Sequence, residues 1–147
     1  MTQAPTLNGQ VIGQAERATR AVLELLLAET DTPFVQWVAL NLAAQAEAAQ
    51  RETTVDALVE QLVTGLRIDG FEAGAAIDAL VVESLVTIDG AVRLTADGTA
   101  KYLRISDGIT DITQRLYRDL PQDDLVVARR VLETLTERAR AELATAS

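Results

Sequence analysis

The side chains of this sequence with catalytic or binding potential are its carboxylates, its arginines and a few aromatic rings. There are 22 Asp and Glu residues but no His and no Cys. The two absences exclude disulfides, Cys/His zinc sites, Ser-His-Asp triads and imidazole acid–base catalysis. The acidic residues show no calcium-loop spacing, and Ser84 and Ser106 lie in no nucleophile motif. We therefore expect no enzyme, and no catalytic residue, metal site or cofactor.

Arginines are the next candidates, because they contact the phosphate groups of nucleic acids. Residues 51–100 hold three basic side chains, Arg51, Arg67 and Arg93, against nine acidic ones. A nucleic-acid binder normally concentrates positive charge in one compact place. The charge of this part of the chain therefore opposes binding to a polyanion. For each arginine, a surface salt bridge is the alternative use.

The length and composition are those of one globular domain. The chain has 147 residues, of which 48% are hydrophobic and 24% are charged. No apolar run approaches the roughly 20 residues that cross a bilayer. The N-terminus, MTQAPTLNGQ, lacks the basic and apolar regions of a secretory signal. We predict a single domain over residues 1–147, located in the cytoplasm and without a membrane partner.

The elements that position these side chains are mostly helices, predicted from apolar residues at spacings of three and four. Thr32, Thr53 or Thr54, and Thr95 are suitable N-caps. The predicted helices run over residues 7–29, from Pro33 to about Ala49, from Thr54 to about Gly65, from about Glu72 to Leu85, from Thr95 to the break at DLPQDD, and from that break onward.

Between the fourth and fifth helices the apolar period changes to that of strands. Short β-type runs within residues 86–94 flank Asp89-Gly90, which is a strong hairpin signal. The order helix, helix, hairpin is that of a winged helix-turn-helix. We predict a mainly α protein with this lobe over residues 31–95.

The segments on either side of the lobe, residues 7–29 and 96–145, are amphipathic. They carry more apolar surface than one small winged lobe can cover. The simplest way to bury the excess is a second copy of the chain. We predict that these segments are the dimerisation helices of a homodimer.

With this order of elements, the sequence resembles the MarR family of bacterial transcription regulators over nearly its full length. The likeness is carried by the segments QWVALNLAA, TVDALVEQL, IDALVVESLV, VRLTADGTAKY and LPQDDLVVARRVLETLTERA. The resemblance implies an obligate homodimer that presents two winged helices to successive grooves of double-stranded DNA. It also implies a small aromatic or anionic ligand, bound between the dimerisation helices and the DNA-binding lobe, that releases DNA.

The sequence departs from the family pattern where DNA contacts are expected. Family members usually carry polar and basic side chains on the outer face of the reading helix. Here that face is predicted to consist of Glu72, Ala73, Ala76, Ala79 and Glu83. These side chains cannot donate the paired hydrogen bonds of direct base readout, which leaves alanine contacts to thymine methyl groups.

The wing is reduced to TIDGAVRL, with Arg93 near the position of the family's minor-groove arginine and Ala91 in place of the preceding Asp. The predicted DNA-binding residues are Arg51, Thr54, Arg67, Ala73, Ala76, Ala79 and Arg93.

A ligand site is predicted near Trp37, with Leu25, Phe34 and Tyr102 as its other walls, because rings suit a stacked ligand. Burial in the core is the alternative use of Trp37. Two functions stay open for the protein. One is a ligand-responsive, DNA-binding regulator, and the other is a winged-helix dimer that has lost DNA binding and acts through a ligand or a protein partner.

Overall fold

A computed structural model describes residues 3–146 of the chain. The helices in this range are α1 (Gly9–Ala28), α2 (Phe34–Ala48), α3 (Val55–Leu66), α4 (Gly70–Val82), α5 (Ala96–Leu116) and α6 (Gln122–Ala146), and the strands are β1 (Val86–Asp89) and β2 (Ala91–Leu94). The sequence prediction of a mainly helical chain with a hairpin between the fourth and fifth helices is confirmed.

The chain forms two compact units, residues 1–110 and 111–147. Among the described residues, no helix combines the length and the apolar character that a membrane span requires.

The core of the first unit lies between α2, α3, α4 and the hairpin. Leu40, Leu58, Leu62, Ile77 and Leu80 are almost completely buried there. The spacings of four and three along α3 and α4 put these side chains on one face of each helix. α4 packs against both α2 and α3, and α2 also packs against β2. The lobe is therefore held together by apolar contacts between all of its elements.

Side-chain caps fix the starts of four helices in the described range, with Asn8 as the cap of α1. The side-chain oxygens of Thr54, Asp69 and Thr95 each accept a hydrogen bond from the backbone N–H three residues further on, at 3.1, 2.8 and 3.0 Å. Each bond satisfies an N–H that has no partner within its own helix. The predicted cap at Thr95 is confirmed, and of the two candidates for α3 the cap is Thr54. α4 begins at Gly70, earlier than the predicted Glu72, because Asp69 caps it.

The predicted cap of α2 is wrong by one residue. Pro33 is the N-cap, with an extended backbone and no side-chain hydrogen bond. Thr32 instead closes the end of α1, since its N–H donates to the carbonyl of Leu27 at 3.0 Å. Its hydroxyl lies 2.8 Å from that of Thr30, and the residue is buried.

The wing is a tight antiparallel hairpin in which Asp89 lies opposite Ala91. Gly90 at its tip has φ 73°, a conformation that glycine adopts without steric cost. The second strand is tied to the start of α3, because the N–H of Val92 donates to the carbonyl of Thr53 at 2.7 Å. This hydrogen bond fixes the wing to the rest of the lobe.

Gly98 sits where the chain passes from the wing into α5. A Cβ on this residue would lie 1.9 Å from the carbonyl oxygen of Leu85. The same carbonyl accepts the N–H of Thr95 at 3.0 Å, and the Thr95 hydroxyl donates to the carbonyl of Ser84 at 2.6 Å. Only glycine lets α5 begin this close to the turn between α4 and β1.

Candidate functional site

The turn between α3 and α4 is the short turn of a helix-turn-helix. Arg67 ends α3 in the left-handed conformation, with φ 57° and ψ 42°. Asp69 then caps α4, which begins at Gly70. The side chain of Arg67 is exposed at this turn.

α4 exposes a central stripe of side chains on the outside of the lobe, and Glu72 and Val81 are exposed on either side of it. Phe71, Ala75, Asp78 and Val82 follow one another at spacings of four, three and four, so they lie on one face of the helix. Phe71 is 87% exposed and Val82 is 82% exposed. Asp78 contributes the stripe's one charge. This stripe is the candidate surface for reading DNA, and it is mainly apolar.

The predicted outer face of α4 is wrong for its alanines. Ala73 is completely buried, Ala76 is 6% exposed, and Ala79 is half-buried. Ala73 stands four residues before Ile77 and seven before Leu80, so it shares their inward face. Small side chains on this face let α4 approach α2 and α3 closely. Ala73 and Ala76 therefore cannot contact DNA from this position.

Phe71 was missed by sequence reasoning, and so was the rest of its stripe. The signal was present in the spacing. A face defined by Ala73, Ile77 and Leu80 leaves Phe71 and Val82 on the opposite side of the helix. The predicted outer face, from Glu72 through the alanines to Glu83, lay to one side of the observed stripe and did not include Phe71.

Arg93, on β2, is paired with Glu52 in the loop before α3. Its Nη2 lies 3.2 Å from Oε1 of Glu52, and the two side chains are 56% and 77% exposed. An ion pair in so much solvent contributes between about 0 and 1 kcal/mol, so it is easily exchanged for another partner. Arg51 and Arg67 are exposed, and neither forms an ion pair within residues 3–146.

Three of the four residues predicted to line a ligand site come together in the core of the first unit. Trp37 is 5% exposed and stacks on Tyr102, with ring centroids 5.8 Å apart and planes 16° from parallel. Phe34 packs against the same core cluster and carries the guanidinium of Arg20 over its ring, 4.5 Å from the centroid. A ligand that stacks on Trp37 must therefore displace or open the Trp37–Tyr102 pair.

Leu25 is not part of this cluster, and its predicted place beside the rings is wrong. It is 74% exposed, whereas Leu27 is buried and Leu26 packs against the core. Leu23, Leu26 and Leu27 share one face of α1 at spacings of three and four, and this leaves Leu25 pointing away.

Within residues 3–146, no group of acidic residues is arranged to hold a metal ion.

Comparison with known proteins identifies the fold. No protein-family model matches the chain, and no match was found among curated proteins. A MarR family protein of Mycobacterium tuberculosis, solved in complex with DNA, is 17% identical with a TM-score of 0.68, over 90% of this chain and 98% of that one. Staphylococcus aureus MarR in complex with salicylate and kanamycin is 18% identical with a TM-score of 0.74, over 88% and 87% of the two chains.

The reduced form of MarR from E. coli is also similar. It is 20% identical with a TM-score of 0.67, over 91% of this chain and 95% of that one. Such likeness at low identity is a likeness of fold, and it agrees with the resemblance that the sequence segments carry. The chain has the winged helix-turn-helix fold of the MarR family of transcription regulators.

Proposed function

We propose that the chain works as a homodimeric transcription regulator that binds double-stranded DNA and responds to a small ligand. The observation that carries the proposal is the exposed α4 beside a paired hairpin, in a fold whose solved examples include a protein bound to DNA. In helix-turn-helix proteins, the second helix enters the major groove. α4 is the second helix of the pair here, and the hairpin follows it as the wing.

The apolar surface of α6 supports the dimer. Leu125, Ala128, Leu132 and Leu135 recur at spacings of three and four, yet no described residue of α6 is buried. A helix gains most of its stability by packing such a stripe against something else. Leu132 and Leu135 are each 40% exposed. A second copy of the chain would cover this stripe symmetrically.

α1 supports the same partner. Its first half has no buried residue, and Val11 is 43% exposed. Leu25, at 74% exposure, belongs to this uncovered surface. In the proposed dimer these side chains lose their contact with water, which is the main favourable contribution to association.

Phosphate contacts in the proposed complex come from Arg51, Arg67 and Arg93, so a dimer offers about six arginines. Each phosphate contact changes the slope of log K against log salt by about −0.9, which gives a slope of roughly −5 for six contacts. Glu52 competes for Arg93, and the surrounding acidic residues oppose the approach of DNA. We expect binding that is strong only at low salt.

The test is a titration of the protein with its own upstream DNA at several salt concentrations. Saturable binding that weakens with salt, and that weakens further in Arg93→Ala, supports the regulator. Arg104→Ala is the matched control, because Arg104 is an exposed arginine on α5, outside the lobe. Equal losses in the two variants would argue against a specific role of the wing.

A second candidate is a winged-helix dimer that has lost DNA binding and acts through a ligand or a protein partner. The observation that favours it is the apolar stripe of α4 with Phe71 and Val82 exposed and Asp78 between them. Absence of binding to the upstream DNA even at the lowest ionic strength decides for this candidate.

Response to a ligand is tested through Trp37, which is the one tryptophan of the chain. It is stacked on Tyr102, so a small aromatic acid that opens this pair will change the tryptophan fluorescence. Salicylate is the first probe, because it is bound in the S. aureus MarR structure. Unchanged fluorescence and an unchanged melting temperature on addition of salicylate would contradict its binding at this place.

A further inference from the structure

α4, the recognition helix of the proposed complex, lacks the polar and basic side chains with which most such helices recognise bases. The residues of α4, GFEAGAAIDALVV, include no Arg, Lys, Asn, Gln, Ser or Thr. Arg or Lys normally pairs with guanine, and Asn or Gln with adenine, through two hydrogen bonds in the major groove. Side chains of α4 can make neither pair, so neither purine is recognised in this way.

The outward stripe offers a different contact. Phe71 is the second residue of α4, at the end of a recognition helix that meets the base edges. It is 87% exposed and is not among the residues that pack against the lobe's core. The thymine C5-methyl group is the one apolar feature of the major-groove edges of the bases, and Phe is among the side chains that contact it.

We propose that Phe71 is a specificity-determining residue that reads thymine through its methyl group, so that each half-site must hold a thymine opposite the start of α4. This inference rests on the proposed DNA-binding function and names the feature of the DNA that the protein selects. Asp78, two turns further along the stripe, carries only acceptors at neutral pH. It can accept a hydrogen bond from the cytosine amino group but contributes nothing to the recognition of thymine.

The exposure of Phe71 makes the proposal testable without loss of the fold. Its side chain contributes little to the core, so Phe71→Ala is expected to melt at the same temperature as the wild type. Val82→Ala is the matched control, because Val82 is an equally exposed apolar residue of the same stripe, at the far end of α4.

The experiment uses a duplex selected from a random-sequence pool by the wild-type protein. Each thymine is then replaced in turn by deoxyuridine, which removes the methyl group and leaves the base pairing unchanged. Loss of one buried methyl contact weakens binding about fourfold, and loss of one in each half-site weakens it roughly 15-fold. We expect this loss at one thymine per half-site in the wild type and in Val82→Ala.

In Phe71→Ala the same replacement is expected to have no effect, because the side chain that meets the methyl group is gone. Phe71→Leu keeps an apolar side chain and is expected to retain part of the sensitivity. If the wild type tolerates deoxyuridine at every thymine, or if Phe71→Ala stays as sensitive as the wild type, the inference is wrong while DNA binding stands. If no duplex is selected at low salt, the proposed function fails and the inference fails with it.

Discussion

Adding one methyl group at Gly98 should destabilise the protein strongly, although the residue is not among the predicted contacts with DNA. A Cβ at this position would lie 1.9 Å from the carbonyl oxygen of Leu85, whereas ordinary contact begins at 3.4 Å. The neighbour is backbone, so it cannot rotate away as the end of a side chain can. Either α5 or the turn between α4 and β1 must move by more than one ångström.

The cost of this movement has two parts. Overpacking of this kind costs about 1–3 kcal/mol. The displaced Leu85 carbonyl also loses the hydrogen bond from the N–H of Thr95, now 3.0 Å long, which costs about 1 kcal/mol. The total is about 2–4 kcal/mol. For a chain of this length the melting temperature is expected to fall by about 6–12 °C.

The measurement is thermal unfolding followed by circular dichroism, at one fixed protein concentration because the stability of the proposed dimer would depend on concentration. Gly65→Ala is the matched control. Gly65 lies in α3 with open space where a Cβ would be, and alanine favours a helix over glycine by up to about 1 kcal/mol. This control should melt at the wild-type temperature or above it. If Gly98→Ala melts within about 3 °C of the wild type, which corresponds to roughly 1 kcal/mol of lost stability, the contact at Gly98 does not constrain the fold as described.

Three further predictions concern charge and assembly. Arg67 has a left-handed backbone, with φ 57°, which glycine adopts more easily, so Arg67→Gly should keep the wild-type melting temperature. The same variant should reduce the salt slope of DNA binding by about 2, because each copy loses one phosphate contact. An unchanged slope would mean that Arg67 contacts no phosphate. Glu52→Gln removes the 3.2 Å ion pair of Arg93. It should therefore strengthen DNA binding several-fold at low salt, with little change in stability. Weaker binding would show that Glu52 holds Arg93 in the position that contacts DNA. Leu132→Glu puts a charge on the exposed stripe of α6, where the proposed dimer would bury it. Light scattering should then find a 15.8 kDa monomer. A dimer that persists in this variant would place the interface elsewhere.

Local signals in the sequence account for much of the fold. The caps at Thr54 and Thr95 and the turn at Asp89-Gly90 depend on hydrogen bonds and backbone angles within a few residues. Such features can be inferred without knowing what else the segment contacts. The amphipathic stripes of the terminal helices are visible in the same way, although the sequence does not show what covers them.

The candidate site depended on contacts that no local signal contains. Which face of α4 is outermost was decided by its packing against two other helices, so Ala73 was buried and Phe71 was left exposed. Arg93 forms an ion pair with Glu52, which lies 41 residues away in the sequence.

The positions of the helices and the hairpin could therefore be inferred from the sequence to within a few residues, because short-range hydrogen bonds and apolar periodicity mark them. Packing between the elements, in contrast, determines which side chains face outward from α4, which ring Trp37 stacks on, and why residue 98 must be glycine. Each of these depends on the close approach of segments that are distant in the sequence, and such approach is governed by how whole side chains fill the space between elements.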